Sequence, residues 1–158
     1  GLIFAIFMVS MMVGSSIYRV ASEMYGQRAV KISPLIMHVA AFGAIGSCNA
    51  LYDNKLVVFL GFLAFEMCCG VFFPGYGVIK SAEIPEHVRS SVMNIFRIPV
   101  NLVVVLVLMQ KDLEPKKVFG FCTFAHFLGL VCYFYYFNSS GSGMKEYKIL
   151  DTADPDNV

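Results

Sequence analysis

Charged residues are scarce in this chain, and their scarcity excludes an ordinary soluble domain. Only 15% of the 158 residues are charged and 58% are hydrophobic, with a mean hydropathy of +0.69. A soluble domain of this size usually carries about 25% charged residues. The formal net charge is only +1, which argues against the basic surface that nucleic acid requires, so we expect no nucleic-acid partner.

Sequence patterns for metal ligation, disulfide pairing and catalysis are also missing. The five cysteines form no CxxC pair and no cluster with histidine at metal-ligand spacing, so we expect no metal and no cofactor. All five fall in apolar segments, and we interpret them as small buried hydrophobic residues. The apolar segments hold no nucleophile motif, carboxylate pair or histidine-rich cluster, which makes an enzyme the weakest functional class. The cysteines are Cys48, Cys68, Cys69, Cys122 and Cys132.

Alternation of polar and apolar residues is absent from the long hydrophobic runs, which excludes strands of a membrane barrel. The runs are continuous, and each is close to the ~20 residues that a helix needs to cross a bilayer. The sequence therefore predicts an all-α membrane protein, a polytopic bundle of transmembrane helices within residues 1–137. The five predicted spans are about 2–21, 34–51, 56–79, 88–109 and 118–137. Residues 138–158 are polar, and we expect a disordered cytoplasmic tail.

The ends of the chain and its basic residues suggest both a larger protein and an orientation. The sequence begins without Met and already within an apolar run, and five spans is an odd number. We therefore expect the C-terminal piece of a longer chain whose N-terminal half is a missing partner. Seven Lys and Arg residues fall on one side of the predicted spans and four on the other, which predicts a cytoplasmic C-terminus.

Two formal charges lie deep inside predicted spans. Glu66 lies roughly 15 Å from the start of the third span, and Arg97 lies roughly 14 Å from the start of the fourth, at ~1.5 Å per residue. Because the two spans are antiparallel, both charges are predicted near the middle of the bilayer. A central charge costs at least ~2.5–3.5 kcal/mol on insertion, so it is expected to face a cavity or a partner.

The surroundings of Arg97 suggest an anion site. Asn94 and Asn101 lie three residues before and four residues after Arg97, so the three side chains share one helical face. Pro99 lacks a backbone N–H, which frees a carbonyl group beside them. A guanidinium matches oxyanions and carboxylates with paired donors. The alternative that the residues leave open is an interhelical ion pair between Glu66 and Arg97 that only holds the bundle together.

The remaining polar features of the spans carry less weight. Ser15 and Ser16 follow Gly14 in the first span, where small residues permit close packing of helices. Either serine can also face a cavity, so we count both as candidate binding residues. The second and fifth predicted spans carry no formal charge, which suggests that they face lipid.

A set of motifs lies within about Gly61 to Leu102: Glu66, Cys69-Gly70, Phe72-Phe73-Pro74, Ile84-Pro85-Glu86 and Asn94-Ile95-Phe96-Arg97-Ile98-Pro99. With these motifs, and more loosely in Gly14 to Arg19, the chain resembles the molybdate-anion transporter family of the major facilitator superfamily. The resemblance implies a twelve-span fold of two six-helix halves, of which these five spans are the eighth to the twelfth.

The resemblance also implies a function. It suggests a secondary transporter in the plasma membrane that moves an oxyanion, most readily molybdate, with sulfate and other anions as alternatives. Arg97 is then the expected anion contact, Asn94 and Asn101 support it, and Glu66 is an ion-pair partner or a proton-linked gate. A non-transporting membrane scaffold remains as an alternative from another class.

Overall fold

The computed structural model of the protein describes residues 1–109 and 114–139. The described residues form five long helices and no strand, which confirms the predicted all-α bundle of membrane helices. All five are long and apolar enough to cross a membrane. Residues 140–158, most of the predicted tail, lie outside the described residues. The helices are α1 (Leu2–Tyr25), α2 (Gln27–Ala50), α3 (Lys55–Glu83), α4 (Glu86–Met109) and α5 (Pro115–Ser139).

Short local signals separate the first three helices. Gly26 lies between α1 and α2 with a φ of 53°, a left-handed conformation that glycine adopts without steric cost. Its N–H donates to the carbonyl of Ser22 at 2.9 Å and ends α1. Asn54 caps the start of α3, where its Oδ1 accepts from the N–H groups of Leu56 and Val57 at 3.1 and 3.3 Å. Such a cap satisfies donors that the first helical turn leaves free.

Helices α2 and α3 form the centre of the bundle: they pack against each other and against α1, and α5 packs against α2. One buried cluster joins Met37 and Ala41 of α2 to Cys68 of α3. A second joins Val30 of α2 to residues of α3 and α5. The expectation that the second helix faces lipid is therefore wrong for this part of the chain. A helix without charge suits a protein interior as well as lipid, and α2 contacts three other helices.

The cysteines are not uniformly buried, which corrects the prediction from composition. Cys48 and Cys68 are buried, Cys69 and Cys122 are half-buried, and Cys132 is exposed on α5. An apolar segment in a membrane protein has a lipid-facing side, so its hydrophobic residues need not lie in the core. A thiol is hydrophobic enough for either position.

Helices α1 and α3 approach each other closely where glycine faces backbone. A Cβ atom on Gly14 would overlap the carbonyl oxygen of Met67, and one on Gly70 would overlap the carbonyl oxygen of Met11. Hydrogen bonds from two serines of α1 to carbonyl groups of α3 add to the same contact. Ser10 Oγ donates to the carbonyl of Leu63 at 2.8 Å, and Ser15 Oγ donates to that of Gly70 at 3.0 Å. Small residues and interhelical hydrogen bonds are the main sources of helix association in membranes.

We expect Gly70→Ala to destabilise the protein by about 1–3 kcal/mol, because the added methyl group forces two backbones apart. Gly77→Ala is the matched control on the same helix, since nothing lies within 4 Å of a Cβ built there. The control should be neutral, or stabilising by up to ~1 kcal/mol through helix propensity. Thermal unfolding of the purified intact protein in detergent measures both effects. Equal melting temperatures for the two variants would contradict this account of the contact.

Helix α5 is fastened to α2 through Tyr133, whose hydroxyl donates to the carbonyl of Lys31 at 2.8 Å. The ring of Tyr133 also stacks on the buried His38, with centroids 5.6 Å apart. His38 Nδ1 lies 2.8 Å from the carbonyl of Pro34 in its own helix. These contacts join one side of α5 to the core of the bundle.

Removal of the Tyr133 hydroxyl by Tyr133→Phe should lower the free energy of unfolding by about 0.6 kcal/mol, the average for an interhelical hydrogen bond in a membrane protein, and by no more than ~1.7 kcal/mol. Tyr135→Phe is the control, because Tyr135 lies on the same helix and is 77% exposed. Chemical denaturation of the intact protein should separate the two variants. A loss of stability for Tyr135→Phe as large as that for Tyr133→Phe would rule out the specific role of the hydrogen bond.

Candidate functional site

Arg97 lies near the middle of α4, on the face where sequence spacing predicts it. Helix α4 is continuous from Glu86 to Met109, so Asn94, Arg97 and Asn101 follow one another along one side of the helix. All three side chains are exposed. The helix passes through Pro99, which has no N–H to donate to the carbonyl of Ile95. The arrangement presents a guanidinium and two amides along one stripe, while the carbonyl of Ile95, two residues from Arg97, lies toward the opposite face of the helix.

Helix α4 stands apart from the rest of the bundle. The extended helix–helix interfaces in the described part of the chain join α1, α2, α3 and α5, and none of them includes α4. Every α4 residue from 94 to 107 is exposed. Within the described ranges, therefore, no other helix covers the polar stripe around Arg97.

Glu66 occupies a different environment on α3. Its side chain is half-buried within the helix that packs against α1 and α2. Among residues 1–109 and 114–139, no salt bridge within 4.0 Å joins Glu66 to Arg97. The ion pair that the sequence left open as a purely structural alternative is thus not formed in the structure. Glu66 therefore lies on α3, which packs against two helices, and Arg97 lies on α4, which has no extended interface with another described helix.

The two candidate serines of α1 point to different sides of that helix. Ser15 of α1 donates its hydroxyl to the carbonyl of Gly70 on α3, so it lies in the close contact between the two helices. Gly70 is four residues after Glu66 on α3. Ser16 donates to the carbonyl of Met12 in its own helix at 3.0 Å. It lies on an exposed apolar face of α1 whose other residues include Val9, Met12, Val13, Ile17 and Val20.

Polar groups that the sequence reading did not single out are buried in the bundle. Tyr18 is only 5% exposed, and its ring lies against Gly75 of α3, 3.2 Å from a Cβ built there. Its hydroxyl and that of Ser33 are buried, and neither has a hydrogen-bond partner among the described residues. A tyrosine or serine in an apolar run gives no sequence signal for burial, because the same residues are common at membrane interfaces.

Among residues 1–109 and 114–139, no group of three or more His, Cys, Asp or Glu side chains is close enough to hold a metal ion. The polar stripe of α4 holds donors and a cation instead. Its chemistry suits an anion with several oxygen atoms, since the arginine supplies paired N–H donors and the amides supply more.

Comparison with known proteins supplies an independent line of argument. No family model matches the chain, and no solved structure matches it. Three curated proteins that it resembles are each named "Molybdate-anion transporter". The Xenopus tropicalis protein is 30% identical over 141 residues, the Xenopus laevis protein 29% over 141, and the Takifugu rubripes protein 31% over 113.

These matches cover most of this chain but a minor part of each relative. The two Xenopus matches cover 84% of the chain and 31% of the relative, and the Takifugu match covers 69% and 24%. The chain therefore spans about a third of the length of the relatives it matches. They confirm the resemblance that the sequence motifs indicate: the chain is an integral membrane protein homologous to the molybdate-anion transporters.

Proposed function

We propose that the intact protein is a secondary transporter that moves an oxyanion, molybdate in the first place, across a membrane. The observation that carries the proposal is the exposed Arg97 at mid-helix in a chain homologous to proteins of that name. An arginine at the centre of a span is costly unless it meets water, a partner or a ligand. In the proposed cycle, the anion is the partner that Arg97 meets.

The role of each candidate residue follows from its chemistry. Arg97 supplies fixed, paired donors and the positive charge, while Asn94 and Asn101 donate amide N–H groups to the remaining oxygen atoms. Glu66 repels the anion when it is ionised and ceases to do so when it is protonated, which makes it the proposed proton-linked gate. Ser15 and Ser16 are proposed as minor contacts, Ser16 from the exposed face of α1.

The proposal also covers the fold of the intact protein, its membrane and its class as a transporter. We propose that these five helices belong to the C-terminal half of a twelve-span major facilitator fold in the plasma membrane. Their C-terminal end then faces the cytoplasm. The substrate crosses unchanged in such a protein, so no catalytic residue or cofactor is required. Arg19, Arg28 and Lys80, exposed on the proposed cytoplasmic side, agree with the bias of basic residues toward that side.

Arg97→Gln should reduce uptake of labelled molybdate by about 10- to 100-fold, the effect of removing a hydrogen bond to a charged group worth ~1.5–3 kcal/mol. Arg97→Lys should recover part of the uptake, because a lysine keeps the charge but not the paired donors. The measurement is initial uptake by cells that express the intact protein, normalised to the amount at the cell surface.

Lys116→Gln is the control for loss of a positive charge, since Lys116 lies exposed in the first turn of α5. Normal uptake is expected for this variant. Undiminished uptake by Arg97→Gln at equal surface amount would end the assignment of Arg97. An intact protein that neither transports molybdate nor is stabilised by it would favour the scaffold alternative.

The proposed orientation has its own test, which uses an epitope tag placed after Val158. Antibody should reach the tag only after the plasma membrane is permeabilised, while surface biotinylation should label the protein in intact cells. Labelling of the tag in intact cells would reverse the orientation. Absence of biotinylation under conditions that label another surface protein would place the transporter in an internal membrane.

A further inference from the structure

The junction between α3 and α4 is short and closely bonded. Helix α3 ends at Glu83 and α4 begins at Glu86, so only Ile84 and Pro85 separate them. The N–H of Ile84 donates to the carbonyl of Lys80 at 3.0 Å, and the N–H of Val88 donates to that of Pro85 at 3.2 Å. We call residues 84–85 the elbow. It sets the direction in which α4 leaves α3.

Arg89, in the first turns of α4, reaches back across the elbow to the end of α3. Its Nη2 donates to the carbonyls of Ser81 and Ile84 at 3.0 and 3.1 Å, and its Nε donates to that of Ile84 at 3.3 Å. The last carbonyls of a helix lack partners within the helix. They also form the negative end of its dipole, which favours a cation. One side chain thus bonds two successive helices.

Little else fixes α4 within the described residues. No extended interface joins α4 to another described helix, and residues 94–107 are all exposed. Arg97 lies twelve positions beyond Pro85 of the elbow (97 minus 85), or about 18 Å along the helix at ~1.5 Å per residue. A rotation of roughly 10° at the elbow would therefore move Arg97 by about 3 Å. A displacement of that size breaks hydrogen bonds, which require donor–acceptor distances near 3 Å.

From this geometry we infer that Arg89 is a positioning residue for the anion site: it clamps α4 to the end of α3 and so fixes Arg97 relative to Glu66. The clamp itself follows from the three hydrogen bonds. Its consequence for anion binding rests on the proposed function. Arg89 is not proposed as an anion contact, because it lies about 12 Å from Arg97 along α4 at ~1.5 Å per residue and its Nε and Nη2 are bonded to backbone carbonyls at the helix end.

A general electrostatic effect is the rival explanation for any loss caused by changing Arg89. Lys80 provides the matched control, because it lies on α3 next to the same helix end and its side chain is exposed. Lys80→Gln removes the same charge from the same region and leaves the clamp intact. Arg89→Lys keeps the charge but cannot reproduce the planar fork that reaches two carbonyls.

The first measurement is a distance between spin labels, made on the purified intact protein with its other cysteines replaced. Labels at Leu60 of α3 and Val104 of α4 lie on exposed positions well away from the elbow. The distance distribution should be narrow in the parent protein and in Lys80→Gln. It should broaden or shift by several ångströms in Arg89→Gln, with Arg89→Lys in between. An unchanged distribution in Arg89→Gln would overturn the clamp.

The second measurement is the concentration dependence of molybdate uptake at equal surface amount. If α4 is correctly placed only part of the time, the apparent affinity falls by that fraction. Arg89→Gln should therefore raise KM roughly three- to tenfold with a much smaller change in the maximal rate. A defect of folding alone would instead lower the maximal rate at constant KM.

The two measurements separate failure of this inference from failure of the proposed function. A broadened distance distribution with an unchanged KM would show that α4 moves without consequence for the anion, which overturns the positioning role. An equal rise of KM in Lys80→Gln would assign the effect to charge and also overturn it. If the parent protein does not transport molybdate, the role at an anion site falls with the proposed function, and the spin-label distances decide the clamp by themselves.

Discussion

The close contact between α1 and α3 is the constraint on which the rest of the structure depends. In lipid, apolar side chains gain little by leaving one hydrophobic environment for another, so helices associate through close packing and hydrogen bonds. Gly14 and Gly70 remove the side chains that would keep the two backbones apart. Ser10 and Ser15 then add hydrogen bonds across the gap. This contact anchors α3, and α2 and α5 are attached in turn to the pair.

Most of helix α4 lacks small residues of the kind that form the contact between α1 and α3. From Val92 to Met109 its sequence contains no Gly, Ala or Ser. Its later half is instead a run of Val and Leu, whose branched side chains hold neighbouring backbones apart. Asn94, Arg97 and Asn101 lie along one stripe of the helix, and no described helix covers them. Among the described helices, α4 therefore takes no part in the close glycine contact that joins α1 to α3.

The sequence allowed prediction of the helices and of the central charges, because both depend on properties of single segments. Length and hydropathy define a membrane helix, and a charge within it is visible without knowledge of neighbours. Which helices pack against each other was harder to predict. The uncharged α2 was expected to face lipid and instead lies between other helices, because apolar composition suits both environments. Arg89 escaped notice because a basic residue beside a helix end also fits the bias of loops toward positive charge.

The division into a packed bundle and an exposed helix gives Glu66 and Arg97 different mechanical roles. Glu66 belongs to the helix that the Gly14 and Gly70 contact holds rigidly in place, so its position is fixed by packing. Arg97 belongs to α4, which in the described part of the chain has no extended interface with another helix and which Arg89 bonds to the end of α3. A charge without a partner in its own bundle remains available to an anion, whereas a salt bridge with Glu66 would have to be broken first. Under the proposed function, the separation of the two charges favours anion binding, and the elbow is the element that we propose maintains it.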